Sequence, residues 1–356
     1  MDNQLLIIIL GNFLVITLLL LPYLNSHKTG IVQDKDIQIT PTTIKTNPIL
    51  YTNIYSVGDR KIGYLFYTGF ISNYNQQLFD VFSKFKQAGV NELVLDLRYN
   101  HGGDISAATY LASMIAPYDK VKEKPIFTKL TYNKNIGEDK DYLGVYNEKD
   151  IIVENKVAAK AEPNPIDANL NLNNVYIIAT QDSYSASELI TFCLRQFLNV
   201  THIGKKTGGK YTASITIHPF DNNLGYPLYP KIYPKKVLSD ELKNKLQNWA
   251  MQPIVAKYTD KEGNDFIATN GLIPNIELTE GFGYLNNWVS IGDTKDVFLG
   301  QAIYTITGDE NYKPIEPQKP TTRSLDTRNN IIQKRIFYIK DFRKESVNLN
   351  IIRHIK

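Results

Sequence analysis

Apolar residues recur along this chain with two periods, one of two residues and one of between three and four. KIGYLFYTGF (61–70) alternates as a strand does. NQQLFDVFSKFKQAG (75–89) sets Leu78, Val81, Phe82 and Phe85 on one helical face, and Gly89 supplies a stop. NELVLDL (91–97) is a short apolar run that reads as a buried strand, and ISAATYLASMIA (105–116) follows as a helix. VYIIAT (175–180) is a second buried strand, broken by QDSY (181–184). Beyond the break, Leu189, Cys193, Leu194 and Phe197 return at helical spacing. Residues 119–173 hold few long apolar runs and several Lys, Asn and Pro, which predicts strands and loops. VSIGDTKDVFLGQAIYTITG (289–308) closes the pattern with a helix. The repeated β–α–β order predicts an α/β layered domain.

The two ends differ from this middle. Leu5 to Leu21 is apolar apart from Gly11, Asn12 and Thr17, long enough for a minimal membrane span. No basic residue precedes it, which is atypical for secretion, and Leu24-Asn25-Ser26 is a poor cleavage site, so it reads as an uncleaved signal-anchor before a cleaved signal peptide, with a buried core helix as the structural alternative. The expected organisation is a signal-anchor or signal segment at 1–24, a polar linker at 25–54, one catalytic domain at 55–310 and a basic flexible tail at 311–356. From Asn311 onward there are 11 Lys/Arg against 4 Asp/Glu, so this tail carries +7 of a net +4 and the preceding residues carry −3. A domain without positive excess gives no footprint for nucleic acid. The single cysteine, Cys193, falls on an apolar helix face and cannot form an internal disulfide. The five histidines (27, 101, 202, 218 and 354) are scattered without metal-ligand spacing, so no metal or cofactor is expected.

Candidate chemistry centres on Ser185 in YSASE (184–188) and Lys210 in TGGK (207–210), 25 residues apart. A serine hydroxyl is a weak nucleophile that needs an adjacent base, and a lysine amine made neutral by burial can serve. Ser185 lies at a strand-to-helix turn, where unpaired N–H groups and the helix dipole favour a developing oxyanion. Ser185-x-x-Glu188 is also a capping box, so a purely structural serine stays open. Upstream, Gly102 and Gly103 follow a strand and can let a substrate carbonyl approach the backbone. One of their N–H groups, with that of Ala186, would make an oxyanion hole; an ordinary βα turn is the alternative. His101, just before the pair, is a second conceivable base.

Together, Asp96-Leu97-Arg98-Tyr99-Asn100-His101-Gly102-Gly103, then Ser185-Ala186-Ser187-Glu188, then Gly204-Lys205-Lys206-Thr207-Gly208-Gly209-Lys210 resemble the C-terminal processing (tail-specific) serine proteases, and most of all envelope members from Bacteroidetes-type bacteria. The resemblance covers roughly residues 55 to 310 and includes Trp249 to Ile254 and Gly271 to Asn275. It implies a crotonase-like (ClpP-related) core of stacked β–β–α units, with Ser185 as nucleophile, a buried Lys210 as general base, and Gly102 or Gly103 with Ala186 as oxyanion donors. Ser183 and Ser187 remain rival nucleophiles. Where relatives carry a residue that orients the lysine, this chain has Ser214 or Gln196. Only about 35 residues separate the apolar segment from KIGYLFY, too few for the PDZ domain common in relatives. The implied activity is a membrane-anchored, periplasmic endopeptidase acting on protein or peptide substrates. A catalytically silent relative that binds peptide or a hydrophobic ligand is the alternative from another class, and a non-peptidic acyl hydrolase a third.

Overall fold

The computed structural model describes residues 46–134, 137–153, 156–217, 219, 238–246, 248–279 and 289–315. In chain order the strands are β1 (Ile49–Val57), β2 (Arg60–Tyr67), β3 (Glu92–Asp96), β4 (Ile126–Thr131), β5 (Glu138–Tyr142), β6 (Ile151–Val153), β7 (Lys156–Ala159), β8 (Asn174–Ala179), β9 (Asn199–Gly204), β10 (Thr212–Ser214), β11 (Ile254–Asp260) and β12 (Ile276–Glu277). The helices are α1 (Asn75–Gln87), α2 (Ile105–Ile115), α3 (Tyr118–Lys122), α4 (Ala186–Cys193), α5 (Asp240–Leu246) and α6 (Val297–Thr307). One sheet runs β1-β2-β3-β8-β9-β12, parallel from β2 onward with β1 antiparallel at its edge. A second, antiparallel sheet runs β10-β11-β4-β5, and β6 and β7 form a small hairpin.

The fold is mixed α/β, and the strand pattern explains how the parallel sheet is covered. Side chains alternate across its plane. Leu65, Tyr67, Leu93, Leu95, Val175 and Ile177 enter the core made with α1, α2, α4 and Tyr258 of the second sheet. Ile62, Tyr64, Phe66, Val94, Ile178 and Ile203 enter a separate cluster under Phe298, Leu299 and Ile303 of α6. Because both faces are covered, β3 is buried at every position, which is why ELVLD reads as a continuous apolar run.

Arg98 fastens α6 to the end of β3. Its guanidinium makes paired bonds of 2.8 Å to both oxygens of Asp296 and reaches Asp96 Oδ2 at 2.7 Å. Phe66 and Phe298 lie over it at 5.9 and 4.8 Å. Asp296 also caps α6 through the amides of Phe298 and Leu299.

Strands β2, β3 and β8 and helices α1 and α2 appear within a few residues of their expected bounds, while α4 ends at Cys193 and α6 begins only at Val297, eight residues into the 289–308 run. Residues 49–54, read as the end of a linker, belong to β1, which pairs with β2 from Ile49 to Val57. As an edge strand with mostly exposed or half-buried positions, β1 lacks the apolar run that marks the inner strands. The apolar segment Leu5 to Leu21 and nearly all of the basic tail lie outside the described residues. Among the described residues no helix is long and apolar enough to cross a membrane.

Candidate active site

Three adjacent parallel strands, β3, β8 and β9, release their loops at the same edge of the sheet. Sites in open α/β sheets form at carboxyl ends of this kind. The loop after β3 holds Gly102 and Gly103, the turn after β8 holds Ser185, and the loop after β9 leads to Lys210.

The first two loops are stitched together side chain to backbone. The Thr180 hydroxyl donates to Arg98 O at 2.7 Å and Ser183 Oγ donates to Leu97 O at 2.7 Å. Asn100 O accepts from Tyr184 N at 3.1 Å and from Ser187 Oγ at 2.8 Å. These bonds set two of the three serines apart. Ser183 and Ser187 are buried with their hydroxyls spent on carbonyls of the β3 loop, so neither is free to attack a substrate. Ser185 is only half-buried, and with Glu188 it forms the capping box that opens α4.

Ser185 adopts φ 54°, ψ −116°. That is the conformation of the first central residue of a type II′ turn, a place for glycine. A serine held there at a strand-to-helix junction is the arrangement of a nucleophile elbow. Such strain typically costs about 1–3 kcal/mol and persists only where its surroundings enforce it.

Glu188 and Tyr258 supply that enforcement. Glu188, fully buried in the first turn of α4, accepts Ser185 N at 2.9 Å and Lys210 N at 2.8 Å on the same oxygen, Oε2. Its Oε1 takes Gly209 N at 2.7 Å and the Thr207 hydroxyl at 2.5 Å. Two amides on one oxygen place the Ser185 and Lys210 nitrogens less than ~6 Å apart. From the other side, the buried Tyr258 hydroxyl lies 3.0 Å from Ser185 O and 2.6 Å from Lys210 O. Burial pushes the Tyr258 phenol well above its usual range, and the Glu188 and Cys193 side chains add to this.

The lysine loop is shaped by tight contacts. Gly208 donates to Ser183 O and passes close to the Tyr184 ring, where a Cβ would fall 1.8 Å from Cε1. The same ring stacks on His101, with centroids 5.8 Å apart. Thr207 and Leu272 bind each other reciprocally, Thr207 N to Leu272 O and Leu272 N to Thr207 Oγ1. The stretch Gly271 to Asn275 thus clasps the TGGK loop.

Several sequence expectations change here. Lys210 is exposed, not enclosed in an apolar pocket: its main chain is turned inward, with the amide on Glu188, and its side chain is left to solvent. The Gly102 amide is not aimed at a substrate: it donates to Asn100 Oδ1 at 2.8 Å. Gly102 instead gives room, since its φ is +94° and a Cβ would lie 2.7 Å from that of Ser185. The Gly103 and Ala186 amides make no hydrogen bond among the described residues. Gln196 donates to Asp260 Oδ2 at 2.9 Å, and Ser214 pairs in β10, so neither is bonded to Lys210 among the described residues. No bond joins His101 to Ser185 there either; its ring is committed to Tyr184. The roles of Glu188 and Tyr258 were not legible in advance. The capping box marked Glu188, but nothing local marked Tyr258, which lies 48 residues beyond Lys210. Among the described residues no group of three or more His, Cys, Asp or Glu side chains is placed to hold a metal ion.

A strained serine thus lies at the carboxyl edge of a parallel sheet, beside the lysine loop and two amides that make no hydrogen bond among the described residues. Residues 61–278 match the model of peptidase family S41, and the chain belongs to that family. It is similar to a candidate S41 protease from Bacteroides fragilis NCTC 9343, with 25% identity and a TM-score of 0.57, over 75% of this chain and 59% of that one. It is also similar to the photosystem II D1 C-terminal processing protease, with 19% identity and a TM-score of 0.43, over 68% of this chain and 51% of that one. The chain therefore spans between half and three-fifths of the length of these two proteins.

Proposed function

We propose that this chain is a serine endopeptidase of protein or peptide substrates, with Ser185 as nucleophile and Lys210 as general base, built on a crotonase-like core that occupies roughly residues 55–310. Ser185 Oγ attacks the peptide carbonyl while Lys210 Nζ takes its proton. The tetrahedral oxyanion rests on the Gly103 and Ala186 amides. The lysine then gives the proton to the departing amine, and water hydrolyses the acyl-enzyme by the same route. The observation that carries this reading is the strained Ser185 backbone, held within one clamp with the Lys210 main chain. Because Lys210 is exposed, its desolvation falls to the peptide that fills the cleft.

The exposure of Lys210 also favours a second reading, a catalytically silent relative that binds peptide or a hydrophobic ligand. Cleavage of an unfolded protein separates the two. On the dyad reading the wild type cuts, while Ser185→Ala and Lys210→Ala each lose on the order of 1000-fold or more in kcat. Lys210→Arg is equally inactive, because a guanidinium keeps its proton. Wild type that binds the peptide without cutting it supports the silent relative, and variants that all cut like wild type end the dyad.

The apolar segment Leu5 to Leu21 supports placing the protein in the cell envelope, anchored with its catalytic domain in the periplasm. Alkaline extraction of membranes tests this: an anchored chain stays with the lipid, and release into the wash contradicts it.

A further inference from the structure

The geometry points to Tyr258 as a positioning residue of the Ser185–Lys210 pair, setting their separation through a hydroxyl shared between the two main-chain carbonyls. The inference rests on the dyad reading above and adds to it a residue from the second sheet. Tyr258 belongs to β11, whose strand neighbours are β10 and β4, and its own amide donates to Tyr211 O. The ring is 1% exposed and lies 6.0 Å from that of Phe266, so it has no room to swing aside. Its hydroxyl reaches Lys210 O at 2.6 Å and Ser185 O at 3.0 Å.

A phenol carries one proton, so the two carbonyls share a single donor. Without it, the two carbonyl oxygens would lose the donor that bridges them in a half-buried position. They would separate or leave acceptors unpaired. Ser185 and Lys210 are gripped at their amides by Glu188 and at their carbonyls by Tyr258. Two-sided holding fixes the direction in which each side chain leaves the backbone. Glu188 alone leaves a hinge about the amide bonds. The raised pKa of the phenol, caused first by burial, keeps the donor protonated across any working pH.

Tyr258→Phe removes one oxygen and leaves the ring in place. Activity is read as kcat per active site, with sites counted by fluorophosphonate labelling, so that a misfolded fraction does not lower the value. The expected result is a kcat about tenfold to a hundredfold lower at nearly unchanged KM, with fluorophosphonate reacting more slowly by a similar factor. Glu188→Gln, which disturbs the opposite grip, gives a second reading of the same kind if Tyr258→Phe folds poorly. An unchanged kcat per titrated site in the foldable variant overturns the inference. Lys210→Ala is assayed in parallel: if it cuts like wild type, the dyad reading has failed instead.

Discussion

Replacing Ser185 by glycine should make the protein more stable than replacing it by alanine, although both variants lose the hydroxyl. At φ 54° and ψ −116° any side chain with a Cβ is strained, and the strain is worth about 1–3 kcal/mol. Glycine adopts the conformation freely but gives back about 0.5–1 kcal/mol, because its unfolded chain is more flexible. The difference comes to roughly 1 kcal/mol in favour of glycine. For a folded unit of this size it corresponds to about 2–4 °C in Tm. Comparing the two variants with each other, and not with wild type, cancels the loss of the hydroxyl and its hydration. The assay is thermal unfolding followed by circular dichroism, with urea denaturation as a check. Ser185→Gly melting at or below Ser185→Ala would show that the turn is relaxed, and the nucleophile-elbow geometry would lose its support.

Other consequences follow from the same contacts. His202 is fully buried in β9, and burial pulls its pKa down from 6.5 to about 4. The unfolded chain binds the proton more readily, so stability is full above pH 6.5 and falls by about 3 kcal/mol as pH drops through about 4. His202→Gln should flatten that part of the curve in urea titrations, and an unaltered curve would refute the assignment. Asp296→Ala strips the buried Arg98 of one carboxylate and removes the cap of α6. It should cost about 3–5 kcal/mol in denaturant unfolding, and a loss under ~1 kcal/mol would contradict the brace. Gly208→Ala drives a methyl into the Tyr184 ring and should lower kcat/KM about 100-fold; wild-type activity would mean that the loop is not held as described.

The parts of the fold visible in the sequence are those whose burial is encoded locally. Strands β2, β3 and β8 sit inside a sheet covered on both faces, so they print long apolar runs. Helix α1 turns Leu78, Phe82 and Phe85 to the core and prints a helical stripe. By contrast β1, exposed at the sheet edge, resembles a linker, and β9 carries buried His202 and half-buried Thr201 among its apolar positions. The second sheet depends on pairing between segments more than a hundred residues apart, which no local period records. The site divides the same way. Ser185, Lys210 and the glycine pair stand out in the sequence because their order and spacing are a signature. The difference between Ser185 and its neighbours Ser183 and Ser187 shows only in the fold, where the latter two spend their hydroxyls on carbonyls of the β3 loop. Tyr258 was invisible because it reaches the site from the other sheet, and the exposure of Lys210 follows from a main chain turned in to Glu188.

The central claim is that Ser185 attacks only with the help of Lys210. Its most direct measurement is the rate at which a fluorophosphonate modifies the protein, with the modified residue located by peptide mass spectrometry. The account predicts label on Ser185 alone in the wild type, and a rate lower by about 100-fold or more in Lys210→Ala with the fold intact. Label on another serine, or equal rates in the two proteins, would contradict it.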